Sequence, residues 1–82
     1  PFNSTLLIDY VNQNNFMVDN IVVYNIVGEK IISWDVSGNT DTKHYFYWDG
    51  KDVRGFEIRS GLYFVRFEGK INSIIKKVTY LK

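Results

Sequence analysis

The chain has 82 residues, is 45% hydrophobic and 17% aromatic, and carries a formal charge of +1 at pH 7. This length suits one domain with a modest core, and the apolar content excludes a disordered chain. The near-zero charge excludes a strong electrostatic pull toward nucleic acid or an anionic membrane, and the lack of cysteine excludes disulfides, zinc–thiolate sites and cysteine nucleophiles.

No apolar run approaches the ~18 residues that a membrane-spanning helix needs. The opening Pro1-Phe2-Asn3-Ser4 lacks a basic-then-apolar leader. Pro1 stands where an initiator methionine would, so the expectation is a fragment or a processed chain, with any export signal upstream.

Strand signals dominate from the start. Residues 5–10 are β-prone, with Leu6, Ile8 and Tyr10 on one face. Asn12-Gln13-Asn14-Asn15 reads as a loop, and Phe16-Met17-Val18 as the start of a second strand. Asp19-Asn20 turns or bulges the chain before Ile21-Val22-Val23-Tyr24-Asn25, where β-branched crowding disfavours helix. Gly28-Glu29 turns it into the strand Lys30-Ile31-Ile32-Ser33-Trp34.

Residues 35–43 are polar, with Gly38-Asn39 as a turn, and His44-Tyr45-Phe46-Tyr47-Trp48 follows as an aromatic strand. Residues 49–59 form a loop shaped by Gly50 and Gly55. Residues 61–68 alternate Tyr63, Val65 and Phe67 against Leu62, Phe64 and Arg66. Gly69-Lys70 is a hairpin turn, and residues 73–81 are the last strand. No segment keeps a helical period, and there is no internal repeat. The expectation is an all-β fold, an immunoglobulin-like antiparallel β-sandwich of about seven strands, with residues 1–82 as a single domain. Tyr63, Val65, Phe67, Ile21, Val23, Leu6 and Ile8 are expected to fill its core, and Trp48 to close one end.

Catalytic chemistry is not legible. The single histidine, His44, sits in an aromatic strand with no partner for a general base. None of Ser4, Ser33, Ser37, Ser60 or Ser73 lies in a nucleophile elbow. Asp49 and Asp52 share a loop, but it lacks the calcium-loop pattern and its terminal glutamate, and Lys51 and Arg54 oppose a cation. Asp49 is read instead as a turn cap. No cofactor is expected.

Two surface features remain. Tyr24, Trp34, Tyr45, Tyr47, Trp48 and Phe64 are candidates for a platform that stacks on sugar rings, or for cross-strand pairs that stabilise the sheet. The terminal run Ile74-Ile75-Lys76-Lys77-Val78-Thr79-Tyr80-Leu81-Lys82 mixes lysine with β-formers. It reads as a lysine-protected edge strand or as a recognition tail.

Five segments in order carry a family resemblance. Pro1-Phe2-Asn3-Ser4-Thr5 with Ile8-Asp9-Tyr10 resembles the opening of the type A C-terminal sorting domain of the type IX secretion system. Val23-Tyr24-Asn25-Ile26-Val27-Gly28-Glu29-Lys30-Ile31 resembles its Tyr-Asn-hydrophobic-hydrophobic-Gly segment. Trp48-Asp49-Gly50-Lys51-Asp52 with Gly55 resembles its Trp-Asp-Gly-Lys-Asp-x-x-Gly loop, and Ser60-Gly61-Leu62-Tyr63-Phe64 its Ser-Gly-Val-Tyr-Phe strand. Lys76-Lys77-Val78 through Leu81-Lys82 resembles its closing tail. The family's second opening proline is missing between Asn3 and Ser4, and residues 35–43 follow no strict family pattern. The central frame of Trp48, Asp49, Gly50, Asp52, Gly55, Gly61 and Tyr63 is also similar to the immunoglobulin-like domain of the flagellar hook-capping protein.

The resemblance implies a non-catalytic secretion signal on proteins of Bacteroidetes and relatives. It implies that the domain follows an upstream cargo into the periplasm and meets an outer-membrane translocon. A sortase-like peptidase then removes it, and the cargo ends at the cell surface or in the medium. The tail match makes Lys76, Lys77, Val78, Leu81 and Lys82 the candidate recognition residues. Two rival readings from the residues are a carbohydrate-binding accessory module and a structural or adhesive domain that self-associates through its edges.

Overall fold

A computed structural model describes residues 6–12, 16–38 and 43–81, except for the side chains of residues 44–46. The described residues form six strands and no helix: β1 (Leu6–Val11), β2 (Asn20–Tyr24), β3 (Lys30–Asp35), β4 (Lys43–Trp48), β5 (Gly61–Glu68) and β6 (Ser73–Tyr80). All pairings are antiparallel. β1 and β4 make a two-stranded sheet, and β3-β2-β5-β6 make a four-stranded one. The two sheets stack as a β-sandwich, which is the expected architecture with one strand fewer than expected.

The missing strand is the one expected from Phe16 to Val18. There the chain arches between the sheets instead. The buried Asn12 side chain holds this arch, its Oδ1 accepting the Val18 N–H at 2.9 Å. Val18 plugs the core. Phe16 and the Met17 carbonyl crowd Gly69, where an added Cβ would lie 2.8 Å from that oxygen. A buried polar side chain that captures a backbone donor substitutes for a ladder hydrogen bond at Val18, and apart from a single bridge at Phe16 the segment forms no strand.

Alternation decides what is buried. Ile8 and Tyr10 of β1 and Trp48 of β4 face Ile21 and Val23 of β2, Tyr63, Val65 and Phe67 of β5, and Tyr80 of β6. Tyr10 lies 5.6 Å from Phe67, ring centre to ring centre, linking the sheets. Burial pushes the Tyr10 hydroxyl above the usual phenol range. Leu6, expected in the core, is only half-buried at the rim. Ile58, Val18 and Tyr80 complete the core.

The connections follow local turn chemistry. In the β2–β3 hairpin, Asn25 Oδ1 accepts the N–H groups of Val27 and Glu29 at 3.1 and 2.9 Å, and Gly28 adopts a φ of 85°. After β3, the Ser37 hydroxyl (2.6 Å) and N–H (2.9 Å) donate to Asp35 Oδ1 and hold its carboxyl below the usual carboxylate range. Where the chain crosses from β4 to β5, Tyr63 Oη donates to the Arg59 carbonyl at 2.7 Å. This is the corner device of Greek-key sandwiches, in which a tyrosine at a strand start ties back the loop before it.

A packed end and an open edge: the candidate recognition surface

The motif residues assemble one end of the sandwich. Trp48 is 1% exposed and sits among Trp34, Tyr63 and Tyr80, with ring centres 6.3, 6.1 and 5.9 Å away. The Trp34 and Tyr63 contacts are edge-on, which suits the charge distribution of aromatic faces and edges. The indole N–H would be costly to bury unpaired. It donates to the Lys51 carbonyl at 3.0 Å, so the tryptophan anchors the loop that follows it.

That loop is a small hairpin of its own. Lys51 bridges Glu57, and Asp52 N–H donates to the Phe56 carbonyl at 2.8 Å. Asp52 Oδ1 accepts the N–H groups of Arg54 and Phe56 at 2.9 and 3.0 Å. Gly55, with φ 86°, closes the turn by donating to the Asp52 carbonyl at 2.9 Å. Asp49 Oδ1 accepts the Lys51 N–H at 3.2 Å, which is the capping role expected of it. Both carboxylates are thus engaged by backbone donors. Among the described residues no group of three acidic or histidine side chains converges as a metal site.

Gly50 is the tightest point. Its φ is 74°, and a Cβ there would overlap the Tyr80 ring. The Gly50 carbonyl accepts the Ile58 N–H at 2.8 Å. Tyr80 therefore lies directly on the glycine of the Trp-Asp-Gly turn, and Gly61 pairs with Tyr80 in register. Sequence reading placed these residues in one frame. It missed Tyr80 as the piece that locks the last strand onto it.

The candidate recognition residues do not form one patch. Lys76 and Val78 share the inner-facing parity of β6 with Tyr80, whereas Lys77 lies on the outer face opposite Phe64. Leu81 follows the strand and is 69% exposed. Lys82 falls outside the described residues, as do the opening residues 1–5 and the side chain of His44.

β6 is an edge strand, and residues 73–77 are exposed throughout. On the outer face, Lys77 of β6 lies opposite Phe64 of β5 and Ile75 opposite Arg66, with Tyr24 next to Phe64 across the sheet. A shallow groove of about 400 Å³ runs between Tyr24, Phe64 and Ile75.

Among the described residues the candidate sugar platform does not come together as one surface. Trp48 is buried, Trp34 packs edge-on against it, and Tyr24 and Phe64 belong to the large sheet. Tyr47, 73% exposed, belongs to the small sheet. The side chain of Tyr45 is outside the described residues.

The family model described as Secretion system C-terminal sorting domain matches residues 1–80. No curated protein and no solved structure matches this chain. The match spans the Trp48–Tyr80 frame and the whole of β6, the two features that distinguish this sandwich. The chain therefore belongs to the C-terminal sorting domains of type IX secretion, non-catalytic signals that send proteins through the periplasm to the cell surface or medium.

Proposed function

We propose that residues 1–82 act as one signal unit, and that an outer-membrane translocon reads the outer face of β6 at Ile75, Lys77 and Leu81. A sortase-like peptidase then separates the domain from its cargo. The observation that carries this reading is the split within β6. Tyr80 fixes the strand to the core, while residues 73–77 stay exposed on an open sheet edge. An exposed edge strand that pairs only with β5 among the described residues suits recognition by strand addition or by its flanking charges. The lysines serve a second purpose, because they discourage edge-to-edge aggregation before the partner is met.

Deleting the whole last strand is a poor test, because it removes Tyr80 from the Trp48 cluster and unfolds the signal. The informative experiment fuses the intact domain behind a soluble reporter in a bacterium with a type IX system, beside a strain lacking the translocon. Export should require the translocon. Within the exporting strain, Lys77→Glu and Leu81→Asp should leave the reporter in the periplasm while the purified domains melt as the parent does. Full export of both variants would move recognition away from β6.

A further inference from the structure

The two sheets differ in width, and the difference leaves a gap. The two-stranded sheet covers the inner face of the four-stranded sheet only as far as β1 reaches. Beyond it, Ile74 and Lys76 of β6 face inward yet remain exposed, Ile74 by 49%. The result is a groove of about 490 Å³ between β1 and β6, lined by Tyr10, Val11, Phe16, Phe67, Ile74 and Lys76. Its floor is apolar, and Lys76 is its one charged lining group among the described residues.

One wall of the groove is a free strand edge. Among the described residues β1 pairs only with β4. The Lys76 ammonium donates to the Asp9 carbonyl at 3.3 Å, so that oxygen points away from β4 and toward β6. In an antiparallel ladder the N–H and C=O of such a residue point the same way, and residues two along share that direction. Leu7, Asp9 and Val11 therefore turn their backbone groups to this edge, Val11 at the groove itself and Leu7 and Asp9 at a narrow cleft of about 40 Å³ that continues it past Phe67 and Lys76.

Among the described residues Lys76 is the one side chain seen bonded to that edge. Its ammonium lies 5.4 Å from the centre of the Phe67 ring and pairs with no carboxylate among the described residues. The Asp9 carboxylate stands on the outer, exposed face of β1. A cation in an apolar groove, satisfied by one neutral oxygen, is complementary to an incoming carboxylate.

We propose that the groove accepts an extended peptide strand that pairs with the free edge of β1 and widens the small sheet. Alternate apolar side chains of the strand rest on Tyr10, Phe16 and Phe67. A carboxylate side chain among them meets Lys76, which releases the Asp9 carbonyl to the new ladder. Strand addition draws affinity from main-chain bonds and specificity from alternate side chains. The charge contact fixes the register, as close charge pairs across interfaces do. This site is on the opposite face of β6 from the outer recognition surface, and the two readings stand or fall separately.

The test titrates the 82-residue protein with a synthetic nine-residue peptide and follows backbone amides by NMR. The peptide alternates valine with threonine and has glutamate in place of its central valine. A second peptide carries lysine at that place, and a third is N-methylated at alternate residues. Saturable binding should protect the Leu7, Asp9 and Val11 amides from solvent exchange. The glutamate peptide should bind about tenfold tighter than the lysine peptide. Lys76→Glu, at an exposed position, should reverse that order, and N-methylation should abolish binding. Absence of saturable binding, equal affinity for the two charged peptides, an order unchanged by Lys76→Glu, or amide protection on β6 alone would each overturn the proposal. So would self-association without peptide, or equal occupation of the groove by laurate, because the occupant would then be a second copy or an amphiphile.

Discussion

The two ends of β6 behave oppositely although their sequences are alike. At Tyr80 the strand is sealed into an aromatic cluster and lies on Gly50. From Ser73 to Lys77 every residue is exposed. Both stretches mix apolar and polar residues, so hydrophobicity does not separate them. What separates them is what lies opposite. The loop after Trp48 reaches under Tyr80, whereas β1 leaves Ile74 and Lys76 uncovered. One end therefore holds the fold together, and the other is free to be read by a partner.

Substitutions at the packed end should be severe. Trp48→Ala removes the centre of the cluster and the donor to the Lys51 carbonyl, and should cost about 3–5 kcal/mol in denaturant unfolding. A melting point shifted by only a degree or two would place Trp48 outside the core. Gly50→Ala adds a left-handed penalty of about 1–2 kcal/mol to an overlap with Tyr80 of about 1–3 kcal/mol. Pairing it with Tyr80→Ala should recover part of the overlap penalty, and strict additivity of the two losses would deny the contact.

Smaller effects sharpen the contrast. Tyr63→Phe keeps the ring and loses one hydrogen bond to Arg59, about 1 kcal/mol, readable as a Tm drop of several degrees. The raised Tyr10 hydroxyl gives an alkaline signature. Its folded value lies above the unfolded value of about 10, so its contribution is complete below the unfolded value and is lost as pH rises through the folded one. Tyr10→Phe should flatten that alkaline loss, and an unchanged pH profile would assign it elsewhere. At the open edge, Lys77→Glu should change stability by less than about 0.5 kcal/mol. A larger loss would mean that Lys77 has a structural role.

Much of the fold was legible because its determinants are short-range. The Asp52-to-Gly55 turn, the Asn25-to-Gly28 hairpin and the alternation of Tyr63, Val65 and Phe67 are set by neighbours in sequence, through side-chain caps, positive φ and the two-residue period of strands. Phe16 to Val18 was misleading for the complementary reason. Its apolar content is that of a strand, but Val18 packs into the core shared by both sheets, and its N–H donates to the side chain of Asn12, six residues earlier, instead of to a ladder partner. The candidate recognition residues were legible as a strand and not as a surface.

The sequence by itself determined the all-β class and the turn chemistry, because each depends on residues a few positions apart. Tertiary structure alone decided the two faces of β6. Ile74, Lys76, Val78 and Tyr80 are as apolar a row as Ile75, Lys77, Thr79 and Leu81, so alternation could not say which row turns inward. That choice belongs to Tyr80, which fits only over the glycine at position 50. Once Tyr80 is seated, the pleat turns Lys76 toward β1 and Lys77 toward solvent.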